Sequence, residues 1–169
     1  MNKKTKNSIV VFLDVDGVLN TEKTCVLTPN GYIGVDEARI VLLSNSIKAI
    51  AADGVILTTT WKNMKADAED YIYLIESLEK HGVKVLGKTT EERVTQREEG
   101  ILKYLELHPE IVEFVILDDQ QFGFKNYSKL WESFIDTYGM GIENSNAASN
   151  TPSVAAILFL DAIKMHAKD

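Results

Sequence analysis

Residues Ile9 to Leu13, "IVVFL", form a continuous apolar run that contains β-branched side chains. A strand with this pattern is apolar on both sides, so it is stable only where other elements cover both faces of its sheet. Two similar runs follow, one from Val55 to about Thr59 and one, "IVEFVILDD", from Ile111. This requirement favours a parallel sheet buried between two layers of helices.

Helical patterns alternate with these strands. Apolar residues recur at helical spacing over about 36–52, 64–80 and 91–108, and the strand "VKVLG" lies between the second and third of these helices. "SFIDTY" is expected to add a fifth strand, followed by a loop over 139–150. A last helix is expected to begin with Thr151 as its cap and Pro152 in its first position. The prediction is an α/β three-layer sandwich with a mostly parallel, Rossmann-like sheet of about five strands.

Composition and charge narrow the class of protein. The 169 residues are 45% hydrophobic, which suits one globular domain over 1–169. Cys25 is the only cysteine, so we expect no internal disulfide and a cytoplasmic location. No apolar stretch approaches the length of a membrane helix, and the net charge of −7 argues against generic nucleic-acid binding.

Polar side chains follow three of the apolar runs. Asp14 and Asp16 come after the first, Thr58 closes the second, and the pair Asp118-Asp119 closes the fourth strand. Right-handed crossovers place the carboxyl ends of parallel strands on one edge, where ligands of such sheets bind. Crowded carboxylates repel one another, and a divalent cation would relieve that repulsion. Oxygen ligands without nearby histidine or cysteine favour Mg²⁺ over Zn²⁺.

Such a site suits chemistry on phosphate esters. Bound Mg²⁺ would let an anionic carboxylate approach an anionic phosphate. One carboxylate can then attack phosphorus and form an aspartyl-phosphate. A second carboxylate can protonate the leaving oxygen and later take a proton from the hydrolytic water.

The motifs resemble those of the haloacid dehalogenase-like (HAD) phosphatases over about residues 8–120. "FLDVDGVLN" resembles the first motif, "VILTTTW" the second and "FVILDD" the fourth, in the expected order. "TQREEGILKYLELHPEIVEFVILDD" resembles a small HAD subgroup that includes the domains associated with RNA repair proteins. The resemblance implies a HAD-like fold and a Mg²⁺-dependent phosphomonoester phosphohydrolase.

The resemblance also implies roles for the acidic residues. Asp14 matches the nucleophile, and Asp16 matches the general acid/base that phosphatases keep and dehalogenases lack. Asp119 matches the metal-binding acid, with Asp118 as the other candidate. Asp14 and the backbone carbonyl of Asp16 would complete the protein's share of the Mg²⁺ shell.

The resemblance assigns the phosphate-binding residues with alternatives. Thr58 matches the hydroxyl that holds the transferring phosphoryl group, and Thr59 is the alternative because a strand end can be misplaced by one residue. Arg97 is the best match to the basic third-motif residue, with Lys88 and Arg93 as competitors.

Two further expectations concern the surroundings of the site. Lys62 resembles the basic residue of "S-x-W-R" patterns and is expected to contact substrate. The intervals between the motifs leave no room for a sizeable cap domain, but residues 20–34, with a Pro-Asn-Gly turn, could form a short flap.

Several alternatives to a general phosphatase stay open. The first is a HAD-like phosphate- or metal-binding regulatory module without turnover. Within the enzyme class, a phosphatase of 3′ or 5′ polynucleotide ends is the alternative, and a receiver domain ranks last because its nucleophile should end the third strand. The phosphorylated substrate could be a small molecule, a polynucleotide end or a phosphoprotein, and the oligomeric state is open.

Overall fold

The computed structural model describes residues 6–91 and 93–168. In chain order its elements are β1 (Ser8–Leu13), α1 (Glu37–Ala49), β2 (Gly54–Leu57), α2 (Glu69–Glu79), β3 (Val85–Lys88), α3 (Arg97–Leu107), β4 (Ile111–Asp118), α4 (Ser128–Ser133), β5 (Phe134–Asp136), β6 (Asn146–Ala147) and α5 (Val154–His166). The predicted α/β class is therefore confirmed.

The six strands form one sheet in the order β3-β2-β1-β4-β5-β6. The first five are parallel, and β6 runs antiparallel to β5. The chain builds outwards from β1 to β3 and then returns to place β4 on the other side of β1. The strand order therefore switches between β1 and β4, where open α/β sheets bind ligands beyond their carboxyl ends.

The sheet is covered on both faces, as the apolar run of β1 requires. Val11 and Leu13 pack in a core with side chains from α1, α2 and α5. Val10 and Phe12 point to the other face, into a core that includes Ile101 of α3. Successive residues of β1 thus feed opposite cores, which explains why the run has no polar positions.

Two predicted helices begin later than their apolar spacing suggested. The helix expected from about 64 begins at Glu69, because residues 60–63 form a 3₁₀ turn in which the Trp61 N–H donates to the Thr59 hydroxyl. The helix expected from about 91 begins at Arg97, after a second 3₁₀ turn over 94–96. Residue 92 lies outside the described residues.

The carboxyl-terminal third differs most from expectation. The predicted cap of the last helix was wrong: Ser153 caps it, its hydroxyl accepting from the Ala156 N–H at 3.1 Å, while the Thr151 N–H is bound in a turn to the Ser149 hydroxyl. The short helix α4 precedes the fifth strand, and the predicted loop over 139–150 contains the two-residue strand β6.

The segment between β1 and α1 contains a short hairpin, residues 26–34. Leu27 and Ile33 form a single antiparallel bridge, and the Thr28 N–H donates to the Tyr32 carbonyl at 2.8 Å. Gly31 has a φ of +85°, which the tight turn requires and glycine adopts readily. Over the described ranges, no cap domain interrupts the sheet, and no helix is long and apolar enough to cross a membrane.

Candidate active site

The residues that directly follow β1, β2 and β4 meet at the switch in strand order. The Asp14 N–H donates to the Leu117 carbonyl of β4 at 2.9 Å. The Thr58 N–H donates to the Leu13 carbonyl of β1, also at 2.9 Å. These bonds continue the parallel ladder past the strand ends, so they fix Asp14 and Thr58 beside the end of β4.

Three aspartates form a cluster at this edge. One carboxylate oxygen from each of Asp14, Asp118 and Asp119 lies within 4.8 Å of the other two. Asp14 and Asp118 are buried and Asp119 is half-buried. The structure thus brings together both members of the predicted acidic pair with the predicted nucleophile.

Burial makes these acids hard to ionise. Burial raises the pKa of Asp14 well above its usual range, and the charge of Asp118 raises it further, against the opposing effect of Arg97. Burial also raises the pKa of Asp118 to about 6 and raises that of Asp119. One guanidinium does not neutralise three carboxylates, so the donor set of three acidic oxygens fits a hard divalent cation.

Arg97 lies against this cluster, and its guanidinium is buried. Its Nη1 lies 2.7 Å from Asp118 Oδ2 and 3.2 Å from Asp14 Oδ1. The guanidinium also stacks on the Phe122 ring, 4.7 Å from the ring centre. Its Nε is buried without a hydrogen-bond partner among the described residues. Arg97 therefore touches the candidate nucleophile directly.

The two competitors for the basic position lie elsewhere. The Lys88 ammonium donates to the Lys62 backbone carbonyl at 3.0 Å. Arg93 has an exposed side chain before α3. Of the three candidates, Arg97 is the one whose contacts with Asp14 and Asp118 are described.

The two threonines after β2 differ in what their hydroxyls do. Thr59 Oγ1 accepts from the Trp61 N–H at 3.4 Å and so caps the turn that follows. Thr58 Oγ1 is buried and has no hydrogen-bond partner within the described part of the chain. A buried hydroxyl without a partner is costly, so a hydrogen bond formed there would be stabilising.

Lys62 is placed differently from the expected substrate contact. Its ammonium is buried, 2.6 Å from Glu91 Oε1 and 3.5 Å from the Thr58 carbonyl. The ion pair therefore lies close to the end of β2, and the Glu91 carboxylate neutralises the charge of Lys62. Sequence reasoning missed Glu91, because nothing in a charged stretch marks which acid turns inward.

Asp16 lies apart from the three-acid cluster, and its carboxylate is held from two sides. Trp61 Nε1 donates to Oδ2 at 3.0 Å, and Asn20 Nδ2 donates to Oδ1 at 2.9 Å. Asp16 is exposed, whereas Trp61 and Asn20 are buried. Sequence reasoning missed both donors, and the signal that could have found Asn20 is its place four residues after Asp16.

Gly17 directly follows Asp16 in the chain and lies close to the Asp119 side chain. It has a φ of +78°, and a Cβ there would lie 2.6 Å from Asp119 Oδ2, so a side chain would collide with the cluster. Its carbonyl accepts from the Thr137 hydroxyl at 2.8 Å and from the Gly141 N–H at 3.0 Å. The loop after β5 therefore fixes the backbone that carries Asp16.

The geometry agrees with the comparison of the chain with known protein families. Residues 10–147 match the family model described as the HAD domain in Swiss Army Knife RNA repair proteins. No curated protein and no solved structure matches the chain. HAD domains of this kind suggest a phosphohydrolase-type function and typically use a divalent metal. The match spans most of the chain and every strand of its sheet, so the protein belongs to this family of HAD domains.

Proposed function

We propose that the protein is a Mg²⁺-dependent phosphomonoester phosphohydrolase that works through an aspartyl-phosphate on Asp14. The observation that carries the proposal is the contact of buried Arg97 with both Asp14 and Asp118. At the neighbouring strand end, the buried hydroxyl of Thr58 has no hydrogen-bond partner among the described residues. A cation at the carboxylate and a hydroxyl donor at the next strand end suit the negative charge of a phosphoryl group.

In the first step, an Asp14 carboxylate oxygen attacks phosphorus and the ester P–O bond breaks. Asp16 gives its proton to the departing oxygen, which leaves as an alcohol. In the second step, Asp16 takes a proton from water as the water oxygen attacks phosphorus. The bond between phosphorus and Asp14 then breaks, and inorganic phosphate leaves.

Arg97 and Thr58 have separate tasks in this proposal. Arg97 favours the ionised form of Asp14 before the reaction and orients it through the 3.2 Å contact. The Thr58 hydroxyl would donate to a phosphoryl oxygen, and the Arg97 Nε without a protein partner has donor capacity left for a phosphoryl oxygen or an ordered water. Lys62, whose charge is balanced by Glu91, has no step in this proposal.

The cluster of Asp14, Asp118 and Asp119 would hold Mg²⁺, with the backbone carbonyl of Asp16 as a further oxygen ligand. The donor set is all oxygen, and burial raises the pKa of Asp14 and Asp118, so a cation bound there would favour their ionised forms. Bound there, Mg²⁺ would neutralise charge as the nucleophile approaches the phosphate.

A phosphatase of polynucleotide ends is the second candidate. It is favoured by the description of the matching family, which names RNA repair proteins. The sheet edge also lacks a cap domain over the described residues, which leaves room for a substrate much larger than a metabolite.

The test is a phosphatase screen with 3′- and 5′-phosphorylated oligonucleotides, phosphopeptides and phosphorylated metabolites, each with Mg²⁺ and with excess chelator. We expect Mg²⁺-dependent phosphate release that the Asp14→Asn variant lacks. Full activity in chelator, or wild-type activity of Asp14→Asn, would contradict the proposal. Metal binding without turnover on the whole panel would favour a regulatory module.

A further inference from the structure

The carboxylate of Asp16 accepts hydrogen bonds from two buried side chains that come from different parts of the chain. Trp61 belongs to the turn after β2, and Asn20 closes the loop after β1. Each donates one N–H to a different oxygen of Asp16, at 3.0 and 2.9 Å. Rotation of the carboxylate about its χ2 bond would break both contacts at once.

Neither donor can turn away easily. Asn20 Oδ1 accepts from the Gly17 N–H at 3.1 Å, and Nδ2 also donates to the Gly34 carbonyl at 2.9 Å. A flipped amide would set N–H against N–H and oxygen against two oxygens, so the orientation is fixed by its partners. Trp61 is buried in the core, which fixes its ring.

The second Asn20 bond reaches the hairpin of residues 26–34. The Gly34 carbonyl lies at the hairpin's base, where the Gly34 N–H donates to the Val26 carbonyl at 2.8 Å. The neighbouring Val35 N–H donates to the Tyr73 hydroxyl of α2 at 3.1 Å. The hairpin base is thus fastened to α2 and, through Asn20, to Asp16.

We infer that Trp61 and Asn20 are positioning residues that hold Asp16 in the orientation needed to pass its proton to the leaving oxygen. This rests on the proposed phosphatase function and assigns two residues beyond its reacting groups. Each oxygen of Asp16 accepts one of these N–H groups and keeps another lone pair. The transferred proton would sit on that remaining lone pair. The buried pair therefore sets the direction of proton transfer without touching the substrate.

The inference predicts an unequal effect on two kinds of substrate. A poor leaving group such as an alkoxide needs the proton from Asp16, whereas p-nitrophenolate leaves without it. Loss of a positioning contact should therefore lower kcat/KM, which reports the first step, far more for an alkyl phosphate than for p-nitrophenyl phosphate. The second step, in which Asp16 takes a proton from water, is the same for both substrates. A residue with only a structural role would slow both alike.

The experiment compares kcat and kcat/KM of Trp61→Phe with wild type on glycerol phosphate and on p-nitrophenyl phosphate. Phenylalanine keeps an aromatic ring and removes the N–H. We expect roughly a tenfold loss of kcat/KM on the alkyl phosphate and less than about a threefold loss on the aryl phosphate, since a misplaced general acid should lose only a fraction of its roughly 100-fold or larger contribution. Trp131→Phe is the matched control, since Trp131 lies on the opposite face of the sheet, and it should change neither rate.

Asn20→Ala removes the other contact and gives a second reading if Trp61→Phe folds poorly. It should show the same unequal loss, and Asp16→Asn should show the largest. Equal losses on both substrates in the folded Trp61 and Asn20 variants would overturn the inference while leaving an Asp14-dependent phosphatase intact. A wild-type protein that releases phosphate with Mg²⁺ neither from these two substrates nor from any ester of the screen above would overturn both proposals together.

Discussion

The two edges of the sheet hold aspartates under opposite electrostatic conditions. At the amino-terminal edge, Asp53 accepts from the Ser8 hydroxyl at 2.7 Å and lies 3.2 Å from the Lys6 ammonium. The Ser8 bond and Lys6 lower its pKa. At the carboxyl edge, burial raises the pKa of Asp14 and Asp118 despite the neighbouring guanidinium. The first edge stabilises an ionised carboxylate, whereas the second concentrates charge that needs a cation or a ligand.

The largest contrast between the edges should come from removing the charge of one aspartate from each. Asp14→Asn should lower phosphatase activity by at least about 1000-fold, because it removes the nucleophile. Its thermal midpoint should not fall, since the change removes a buried charge next to Asp118. Asp53→Asn should keep full activity. Phosphate release and thermal denaturation of the two variants check this, and equal activity losses would end the comparison.

Removing the guanidinium of Arg97 should cost the most stability. Arg97→Met leaves Asp14 and Asp118 buried without their cation, which costs about 3–5 kcal/mol in unfolding free energy. Denaturant unfolding measures the change. Lys80→Met is the control, because Lys80 pairs with Glu37 on an exposed surface, where solvent screens the pair and its loss should hardly change stability. Similar losses of unfolding free energy in both variants would mean that the buried aspartates at the carboxyl edge do not need the Arg97 charge.

Mg²⁺ should stabilise the protein through the carboxyl edge alone. At a free concentration 100 times its Kd, binding to the folded state adds about 2.7 kcal/mol to the unfolding free energy. Asp119→Asn should reduce the rise in thermal midpoint, and Asp53→Asn should leave it unchanged. A rise of equal size in both variants would place the cation elsewhere.

The smallest effect belongs to the amino-terminal edge. The pKa of Asp53 is lower in the folded than in the unfolded chain, so its contribution to stability is present above an unfolded pKa of about 4. That contribution is lost as the pH falls through the folded pKa. Asp53→Asn should remove at most about 1 kcal/mol at neutral pH and nothing at low pH. Unfolding curves measured from neutral to acid pH check the sign of this effect. A loss of stability that persists in acid would contradict it.

The central strands were predictable because their constraint is simple. A run such as Ile9–Leu13 is apolar on both sides, and that alone required two covering layers. The fifth strand was predicted within "SFIDTY" and is present as β5. The strand β6 was missed, because two residues carry too little pattern to separate a strand from a loop. The prediction of the α5 cap was wrong because Thr151 and Ser153 have similar cap propensities. The local turn, which binds the Thr151 N–H, decides between them.

The site was predictable to the extent that strand ends define it. Asp14, Thr58 and the acid pair after β4 are neighbours because parallel topology brings strand ends to one edge. The contacts of Trp61 and Glu91 depend on how side chains turn after the strand, which periodicity does not encode. Their roles, like those of the predicted site residues, stay predictions for the variants described above.

The most direct test of the central claim is to trap the intermediate on Asp14. The enzyme is mixed with substrate and Mg²⁺, quenched in acid and reduced with borohydride, which converts an aspartyl-phosphate to homoserine. Mass spectrometry of the peptide that contains residue 14 then reads out the position. We predict homoserine at position 14 only when substrate and Mg²⁺ are both present. Turnover with no conversion at position 14, or conversion at another acid, would contradict the assignment of Asp14 as the nucleophile.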